Sequence, residues 1–369
     1  MKQILFITTA LFIFFGLFFY VFFRLWQMLP AGKPVFVGVA ITLMMCFFLG
    51  FLGGYFLPTS IATVAYHIGM TFLFIAIYLC LIFVVFDLLR LVLPMKHILV
   101  ENWITFTVLK IVLTLVFTYA HLNYRNVIRE ELTISINKEI TPLKIVAISD
   151  LHLGYGVSKA KLERWITLIN AENPDVVVIA GDIIDNHMKP LIERDVASTL
   201  RKIKSRYGVF ACLGNHEYIG SSDKVYQSIN FLNDANITVL RDTAILINDE
   251  FYLIGRDDLI IQNRKSLAEL LQNLDTTKPL ILLDHQPYHL NETEKNNIDL
   301  QISGHTHRGQ LIPFSWITNK MFEIAHGYLQ KGNSHIFVTS GIGIWGGKFR
   351  IGTQSEYVVI ELRTKSYEL

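Results

Sequence analysis

Five short polar segments of the chain carry side chains that can bind a metal ion, and each segment follows an apolar run. In chain order they are Asp150-Leu151-His152, Gly181-Asp182, Gly214-Asn215-His216-Glu217, Asp284-His285 and Gly304-His305-Thr306-His307. They supply seven candidate ligands with oxygen or nitrogen donors, namely Asp150, His152, Asp182, Asn215, His285, His305 and His307. One such segment alone is more often a turn or an ordinary histidine than a ligand. Five in succession predict a metal centre.

The number and type of donors indicate the kind of centre. Seven ligands are too many for a tetrahedral zinc ion, which takes four, and they suit two ions that share a bridging carboxylate. The mixture of imidazole and carboxylate favours Mn²⁺, Fe or Zn²⁺ over Ca²⁺. With only two carboxylate ligands the centre stays positive, which suits an anionic substrate such as a phosphate ester. Two ions can hold the attacking and leaving oxygens in line and can make hydroxide available near neutral pH.

The apolar runs predict the strands that position these ligands. They cover Leu143–Asp150, Asp175–Asp182, Val209–Asn215, Phe251–Gly255, Leu280–Asp284, Leu300–Gly304, His335–Gly341 and Tyr357–Leu362. Helical spacing predicts helices over Lys159–Ala171 and Glu193–Arg206. This order indicates βαβ units around a largely parallel sheet, with the last two strands more antiparallel. Because sites in such sheets form beyond the carboxyl ends of the strands, the five segments should meet at one edge.

The motifs Asp-x-His, Gly-Asp, Gly-Asn-His-Glu, a single His and Gly-His-x-His, in that order, resemble the calcineurin-like metallophosphoesterase superfamily. The sequences DLHLG, LGNHE and GHTHRGQ are similar to those of its bacterial membrane-anchored or exported branch. The resemblance covers about residues 130–369 and implies an α/β metallophosphoesterase domain, a four-layer αββα sandwich. It implies that one ion is held by Asp150, His152, Asp182 and His307. The other would be held by Asp182, Asn215, His285 and His305, with Asp182 bridging.

The resemblance also implies a catalytic role for His216, which follows the ligand Asn215 directly. Its imidazole would stabilise the transferring phosphoryl group or protonate the leaving oxygen near neutral pH, and a supporting role beside the ligands is the alternative. Glu217 and Asp185 are expected to orient ligand histidines. Arg308 either contacts a phosphate or is an ordinary solvated side chain.

Composition divides the 369 residues into two parts. Hydrophobic residues make up 52% of the chain and charged residues 17%, but only eight of the charged residues lie in positions 1–120. That part contains four apolar runs, each about long enough for a membrane-spanning helix: Ile4–Phe23, Val35–Leu57, Ile68–Leu93 and Trp103–Ala120. We therefore expect a four-helix transmembrane region over 1–120, a connector over 121–141 and the catalytic domain over 142–369. The connector contains a candidate first strand at Glu131–Ile136. The sequence contains no strongly basic domain of the kind that would indicate nucleic-acid binding.

Charges near the spans bear on orientation and on pairing. Four spans place both chain ends on one side of a membrane, which we expect to be a bacterial cell membrane. The far-side loops carry four basic residues and the terminal side three, which favours an extracytoplasmic catalytic domain. Asp87 and Lys110 should lie at similar depth in neighbouring helices. We expect them to form a structural ion pair, or Lys110 to reach the interface, in preference to a proton path.

Two later segments could lie near the metals. Gly341-Ile-Gly343-Ile-Trp-Gly346 matches a dinucleotide-binding pattern, but no helix is predicted after it. We interpret it as a glycine loop near the metal site. Leu311–Gly332 is rich in aromatic and large apolar residues. It is expected to pack as ordinary core. Alternatively, Phe314, Trp316, Met321 and Phe322, joined by Trp345, form an apolar lip that admits a lipid phosphate ester.

The sequence thus predicts a membrane-bound, dimetal-dependent phosphoesterase. Metal-activated hydroxide would attack phosphorus in line, and the partners would be a lipid bilayer and a phosphate-ester substrate, with a lipid ester among the candidates. One alternative is a pyrophosphate hydrolase that acts on a nucleotide-linked lipid. A second, of a different class, is a non-catalytic membrane receptor or transport component that uses the fold for binding.

Overall fold

The computed structural model describes residues 2–29, 31–92, 102–220 and 223–365. The chain divides into two compact units, Met1–His121 and Leu122–Leu369. The division falls close to the change in composition, and each unit has its own apolar core.

The first unit is built from apolar helices. They are α1 (Lys2–Met28), α2 (Lys33–Leu52), α3 (Thr59–Leu89) and α4 (Trp103–Arg125), whose last turn belongs to the second unit. Three helical segments are long and apolar enough to cross a membrane: Lys33–Tyr55, Thr59–Leu89 and Trp103–Arg125. In α1, Phe12–Met28 forms a shorter apolar segment. The prediction of an N-terminal transmembrane region of about four helices agrees with this arrangement. The predicted end of the third span at Leu93 lies outside the described residues.

Small residues allow two of these helices to pack closely. A Cβ atom at Gly69 of α3 would lie 2.5 Å from the Cα atom of Phe47 in α2, and one at Gly50 would lie 2.8 Å from the Cα atom of Tyr66. Glycine at such positions lets helix backbones approach, which is how helices associate in lipid.

The expected pairing of Asp87 with Lys110 is wrong. The Asp87 carboxylate accepts a hydrogen bond from the Tyr20 hydroxyl at 2.5 Å and one from the Arg24 guanidinium, and Arg90 lies 3.4 Å away on the next helical turn. Lys110 has an exposed side chain on α4. Asp87 therefore joins α3 to α1, a contact that the depth argument missed because it compared only consecutive spans.

The second unit contains two mixed sheets of six strands among its described residues. The strands are β1 (Val127–Ile136), β2 (Leu143–Ile148), β3 (Val176–Ala180), β4 (Val209–Cys212), β5 (Ile237–Val239), β6 (Thr243–Ile247), β7 (Phe251–Gly255), β8 (Leu280–Leu283), β9 (Leu300–Ser303), β10 (Gly327–Lys331), β11 (Ser334–Val338) and β12 (Ser355–Thr364). The first sheet has the order β1-β12-β2-β3-β4-β5, and the second β10-β11-β9-β8-β7-β6. Strands β2 to β5 are parallel neighbours, as are β7, β8, β9 and β11.

Helices cover the outer face of each sheet. They are α5 (Lys159–Ala171), α6 (Lys189–Glu193), α7 (Val196–Leu200), α8 (Lys224–Asp234), α9 (Leu267–Leu271) and α10 (Leu290–Lys295). A further helix, α11 (Phe314–Met321), follows the last of the polar motifs. Trp165 of α5 packs on the first sheet, and Leu271 of α9 packs on the second. Between the sheets lies a core that joins residues of both, such as Ile145 and Leu283. This is the αββα sandwich that the resemblance implied.

Three predicted elements differ from the structure. Residues 121–141, expected as a connector with a candidate strand at Glu131–Ile136, contain the end of α4 and the longer strand β1 (Val127–Ile136), which pairs in parallel with β12 along its whole length. Of the helix predicted over Glu193–Arg206, only α7 (Val196–Leu200) forms; α6 already ends at Glu193, and Asp195 between them has a φ of 48°. The strands β11 and β12 each have one parallel and one antiparallel neighbour.

Candidate metal centre

The predicted ligands lie at the carboxyl ends of the central strands of both sheets. Asp150 follows β2, Asp182 follows β3 and Asn215 follows β4, while His285 and His305 follow β8 and β9. The structure brings their side chains into three overlapping groups with ligand atoms within 4.8 Å of one another: Asp150, His152 and His307; His152, Asp182 and His216; and Asp182, His285 and His305. The two sheets face each other, so their strand ends contribute to one centre.

An unusual backbone conformation aims several of these side chains. Five of the predicted ligands have φ between 45° and 70°, namely Asp150, His152, Asp182, His305 and His307. Residues other than glycine rarely adopt this left-handed region, which costs energy and is concentrated at functional sites. The strands β2, β3 and β9 are thus each followed by a sharp turn at a ligand residue.

Two glycines leave room for the carboxylates. A Cβ atom at Gly304 would collide with the carboxylate of Asp150, and one at Gly214 would collide with that of Asp182. Neighbouring amides approach in their place: the amide of His305 donates to Asp150 at 3.1 Å, and that of His216 donates to Asp182 at 2.8 Å. These contacts fix the carboxylates.

One group of donor atoms has the spacing of a ligand set. The Nε2 atoms of His152 and His307 are 3.0 Å apart. Asp150 Oδ1 lies 3.5 Å from the Nε2 atom of His307 and 3.9 Å from that of His152, and Asp182 Oδ2 lies 3.8 Å from His152 Nε2. Because zinc–nitrogen and zinc–oxygen bonds are about 2.0–2.2 Å long, donors 3–4 Å apart fit around one ion.

Two buried donor atoms in and beside the group of Asp182, His285 and His305 have no hydrogen-bond partner among the described residues. His285 Nδ1 lies 2.7 Å from the carbonyl oxygen of Ala180, to which it can donate, and this leaves the other ring nitrogen unprotonated. That Nε2 atom faces Asp182 Oδ2 at 3.3 Å. It is buried without a hydrogen-bond partner among the described residues, and so is Oδ1 of Asn215. Buried polar atoms normally have partners, and a cation would satisfy both.

The electrostatics of the centre favour the neutral, metal-binding form of His152 and His305. Burial, followed by the nearby His216, lowers the pKa of His152 to about 4. Burial, followed by the nearby His285, lowers that of His305 to about 3. Burial raises the pKa of Asp150 to about 6, and the neighbouring Asp182 carboxylate acts in the same direction. A cation between these carboxylates would reverse that effect.

His216 is held by an acid that is not among the predicted ligands. Its Nδ1 atom lies 3.2 Å from Oδ1 of Asp185, and its ring centroid is 4.6 Å from that of His152. Burial by itself would lower the pKa of His216, but the contact with Asp185 raises it overall. Asp185 thus orients His216 and favours its protonated form.

Glu217 does not orient a ligand histidine, so that expectation is wrong. Its buried carboxylate accepts hydrogen bonds from the amides of Ile184 at 2.8 Å, Gly214 at 2.7 Å and Asp182 at 3.2 Å. It therefore ties the turn after β3 to the turn after β4. Burial and the nearby Asp182 raise its pKa to about 7.

Two cations that the sequence analysis missed also support the site. Lys224, at the start of α8, is buried and donates to the carbonyls of His216 and, at 2.9 Å, of Ile219. Arg350 is fully buried and donates to the carbonyl of His307 at 3.2 Å and to those of Ser340, Gly341 and Gly343 at 2.6–3.2 Å. No motif marks either residue.

The glycine-rich segment lies against the metal centre, as expected. A Cβ atom at Gly341 would lie 2.8 Å from Cβ of Asp150, and one at Gly343 would collide with the backbone of Asp150 and Leu151. No helix begins within residues 341–352. The segment is therefore a loop packed on a ligand.

The aromatic segment after the last motif has two sides. Phe322 is buried, with its ring centroid 4.7 Å from that of Tyr288 and 6.1 Å from that of His305. Trp316 and Met321 of α11 are exposed, whereas Phe314 and Trp345 are half-buried. Placing Phe322 on an apolar lip was therefore wrong, because it packs beneath the site.

Comparison with known proteins identifies the family. A family model described as calcineurin-like phosphoesterase matches residues 143–309. An uncharacterized metallophosphoesterase of Campylobacter jejuni is 34% identical over 264 residues, which cover 69% of each chain. One from Aquifex aeolicus is 34% identical over 259 residues, which cover 67% of this chain and 96% of that one. The chain belongs to the calcineurin-like phosphoesterase family, and its clustered Asp and His residues form a divalent-metal site.

Membrane helices also occur among the relatives. A zebrafish protein described as a transmembrane protein with metallophosphoesterase domain is 32% identical over 241 residues. The match covers 61% of this chain and 54% of the zebrafish protein. Together with the apolar helices of the first unit, this similarity identifies the chain as a membrane protein.

Proposed function

We propose that the chain is a membrane-bound phosphoesterase that uses two divalent ions to hydrolyse a phosphate ester. The observation that carries this proposal is the position of Asp182 Oδ2. It lies 3.8 Å from His152 Nε2 in one group of donors and 3.3 Å from His285 Nε2 in the other. One carboxylate oxygen shared between two imidazole clusters is the arrangement expected of a bridging ligand.

The seven donors divide between the two ions in this proposal. Asp150, His152 and His307 would hold one, Asn215, His285 and His305 would hold the other, and Asp182 would contribute to both. When bound, the ions supply Lewis acidity and make hydroxide available near neutral pH. The protein positions their ligands through the left-handed turns, the Glu217 carboxylate and the Arg350 guanidinium.

His216 serves as the acid on the substrate side of the centre. It lies beside His152 and Asp182 and is held by Asp185 at 3.2 Å. An imidazole that carries a proton can stabilise the phosphoryl oxygens or donate to the leaving oxygen. This distinguishes the proposal from a site that only binds, which would not need a proton donor.

The location of the enzyme is a further part of the proposal. We infer a bacterial cell membrane and an extracytoplasmic catalytic unit. The support is the excess of basic residues in the two far-side loops, four against three on the side of the chain ends.

The test uses the full chain purified in detergent. After chelation, Mn²⁺ or Zn²⁺ should restore hydrolysis of bis(p-nitrophenyl) phosphate, and metal analysis should give two ions per chain. Asp182→Asn should bind less metal and lose activity by about a hundredfold or more. His216→Gln should keep its metal and lose about 10²–10⁴-fold in kcat.

Asp249→Asn is the matched control, because its side chain is 86% exposed and distant in sequence from every ligand. It should behave like the unmodified chain. Absence of hydrolysis with either metal, or full activity in Asp182→Asn, would refute the proposal.

A further inference from the structure

We propose that the substrate is a phosphate ester of a membrane lipid and that the exposed apolar face of α11 docks on the bilayer that contains it. This inference rests on the proposed function and adds the class of substrate. The occupant of the docking surface is the acyl and headgroup boundary of a lipid bilayer.

The first observation is the two-sided character of α11. Trp316, Ile317 and Met321 are 64%, 52% and 60% exposed, whereas Ser315 is buried and Phe322, directly after the helix, packs inward. Exposed apolar side chains that stand singly are ordinary, but a cluster of large ones marks an interaction surface. Tryptophan is enriched where a protein meets the membrane interface.

The second observation is that this surface is joined rigidly to the metal centre. A Cβ atom at Gly309, two residues after His307, would lie 2.5 Å from the Cα atom of Ser315 in α11. Phe322 at the other end of the helix stands 6.1 Å from the ring of His305. Both ends of α11 are thus fixed against ligand-bearing turns, and an ester held by the helix lies near the ligands.

Three more exposed isoleucines lie elsewhere in the second unit. Ile192, Ile219 and Ile260 are exposed, and they lie in segments that follow β3, β4 and β7. These strands point their carboxyl ends toward the metal centre. Isoleucines on separate loops around one site suit a continuous apolar phase better than a single polar ligand.

The charge of the segment favours a lipid surface over an acyl chain alone. Residues 308–322 contain Arg308 and Lys320 and no acidic residue. Basic residues beside large apolar ones are the pattern of helices that lie in the membrane interface, where cations attract anionic headgroups. The same attraction would concentrate an anionic phosphate ester near the metals.

The third observation concerns the chain that leads from the last membrane helix. Only Asn126 separates the end of α4 at Arg125 from β1 at Val127. Within the second unit, Asn123 donates to the carbonyls of Arg350 at 3.1 Å and Thr353 at 2.7 Å. The Arg350 guanidinium in turn donates to His307. The last turn of α4 is thereby bonded to the segment that supports His307.

The experiment compares two diesters with the same leaving group, hexadecyl p-nitrophenyl phosphate and ethyl p-nitrophenyl phosphate. The full chain is reconstituted with Mn²⁺ in vesicles of phosphatidylcholine and phosphatidylglycerol. We expect a higher kcat/KM for the hexadecyl ester. In the double variant Trp316→Ser, Met321→Ser, the ratio of the two kcat/KM values should fall by about tenfold or more.

A second measurement does not depend on catalysis. Doxyl-labelled lipid in the same vesicles should quench the tryptophan fluorescence of the chain more than that of Trp316→Phe. Leu246→Ser is the matched control, since Leu246 is exposed on the edge strand β6, and it should leave the ester ratio and the quenching unchanged.

The outcomes separate the two proposals. Equal efficiency with both esters and equal quenching in Trp316→Phe would overturn this inference and leave the phosphoesterase intact. Failure to hydrolyse either ester would overturn the proposed function, and the quenching would still decide whether α11 meets the bilayer. Unchanged metal content and thermal unfolding of the double variant would show that it is folded.

Discussion

Arg350 offers the sharpest test of how the fold supports the metal centre. Its side chain is fully buried and its guanidinium donates to the carbonyls of His307, Ser340, Gly341 and Gly343. It also donates to the hydroxyl of Ser355 at 3.1 Å. Burial, which the charge of Glu356 only partly offsets, lowers its pKa to about 10, so the group remains charged at neutral pH. Replacement by methionine keeps the apolar stem and removes every donor.

The expected loss of stability follows from the buried carbonyl groups that lose their hydrogen-bond donor. Each buried carbonyl that loses its donor costs about 1 kcal/mol or more, so the four carbonyls together give a loss of about 4 kcal/mol. For a unit of this size, the same loss lowers the unfolding temperature by about 10 °C. Arg350→Lys should cost about half as much, because an ammonium keeps the charge but cannot reproduce the planar set of donors. Metal affinity should fall with stability, since His307 loses its support.

The assay is thermal unfolding of the full chain in detergent, monitored by circular dichroism, with metal content measured on the same samples. Arg206→Met is the matched control, because that guanidinium is 65% exposed. It should unfold within about 2 °C of the unmodified chain. If Arg350→Met unfolded at the temperature of the control and retained its metal, the argument that Arg350 positions His307 would be refuted.

Two further predictions concern other buried charges. Asp87→Asn should lower the thermal stability of the chain in detergent by about 3 kcal/mol, because it leaves the Arg24 guanidinium without its counter-ion, whereas Lys110→Met should have little effect. Burial opposes ionisation of Glu356, but its hydrogen bonds with His326 and its neighbours hold the pKa of this carboxyl below its ordinary value. The folded state therefore binds fewer protons there than the unfolded chain, and stability should fall as the pH drops below about 4.5. In Glu356→Gln the unfolding temperature should depend less steeply on pH between about 5 and 3, and an identical slope would contradict the assignment.

The sequence predicted the parts of this protein that depend on local patterns. Apolar runs such as Leu143–Asp150 are buried on both faces, so they are visible as strands without any tertiary information. The polar residues that follow these runs lie at the carboxyl ends of the strands. Because the carboxyl ends of parallel strands meet at one edge of a sheet, the sequence also predicted that these residues lie close together. The membrane region was equally clear, because a bilayer requires long apolar segments of the kind seen in Thr59–Leu89.

Contacts between residues far apart in the chain were decided only by the tertiary structure. Arg350 meets His307 across 43 positions, and Arg24 meets Asp87 across 63. No spacing rule connects such pairs, since their proximity depends on how strands and helices cross. Local patterns likewise gave no sign that Asp150 and His305 occupy left-handed backbone conformations.

The segment after the Gly-His-x-His motif shows most clearly what the sequence determines and what the tertiary structure determines. The sequence showed that Leu311–Gly332 is apolar but could not separate core from surface. The fold packed Phe322 against His305 and left Trp316 and Met321 of α11 exposed. Composition records how much apolar surface a segment has. Only packing decides which part of that surface stays exposed, because burial depends on the neighbours that the rest of the chain supplies.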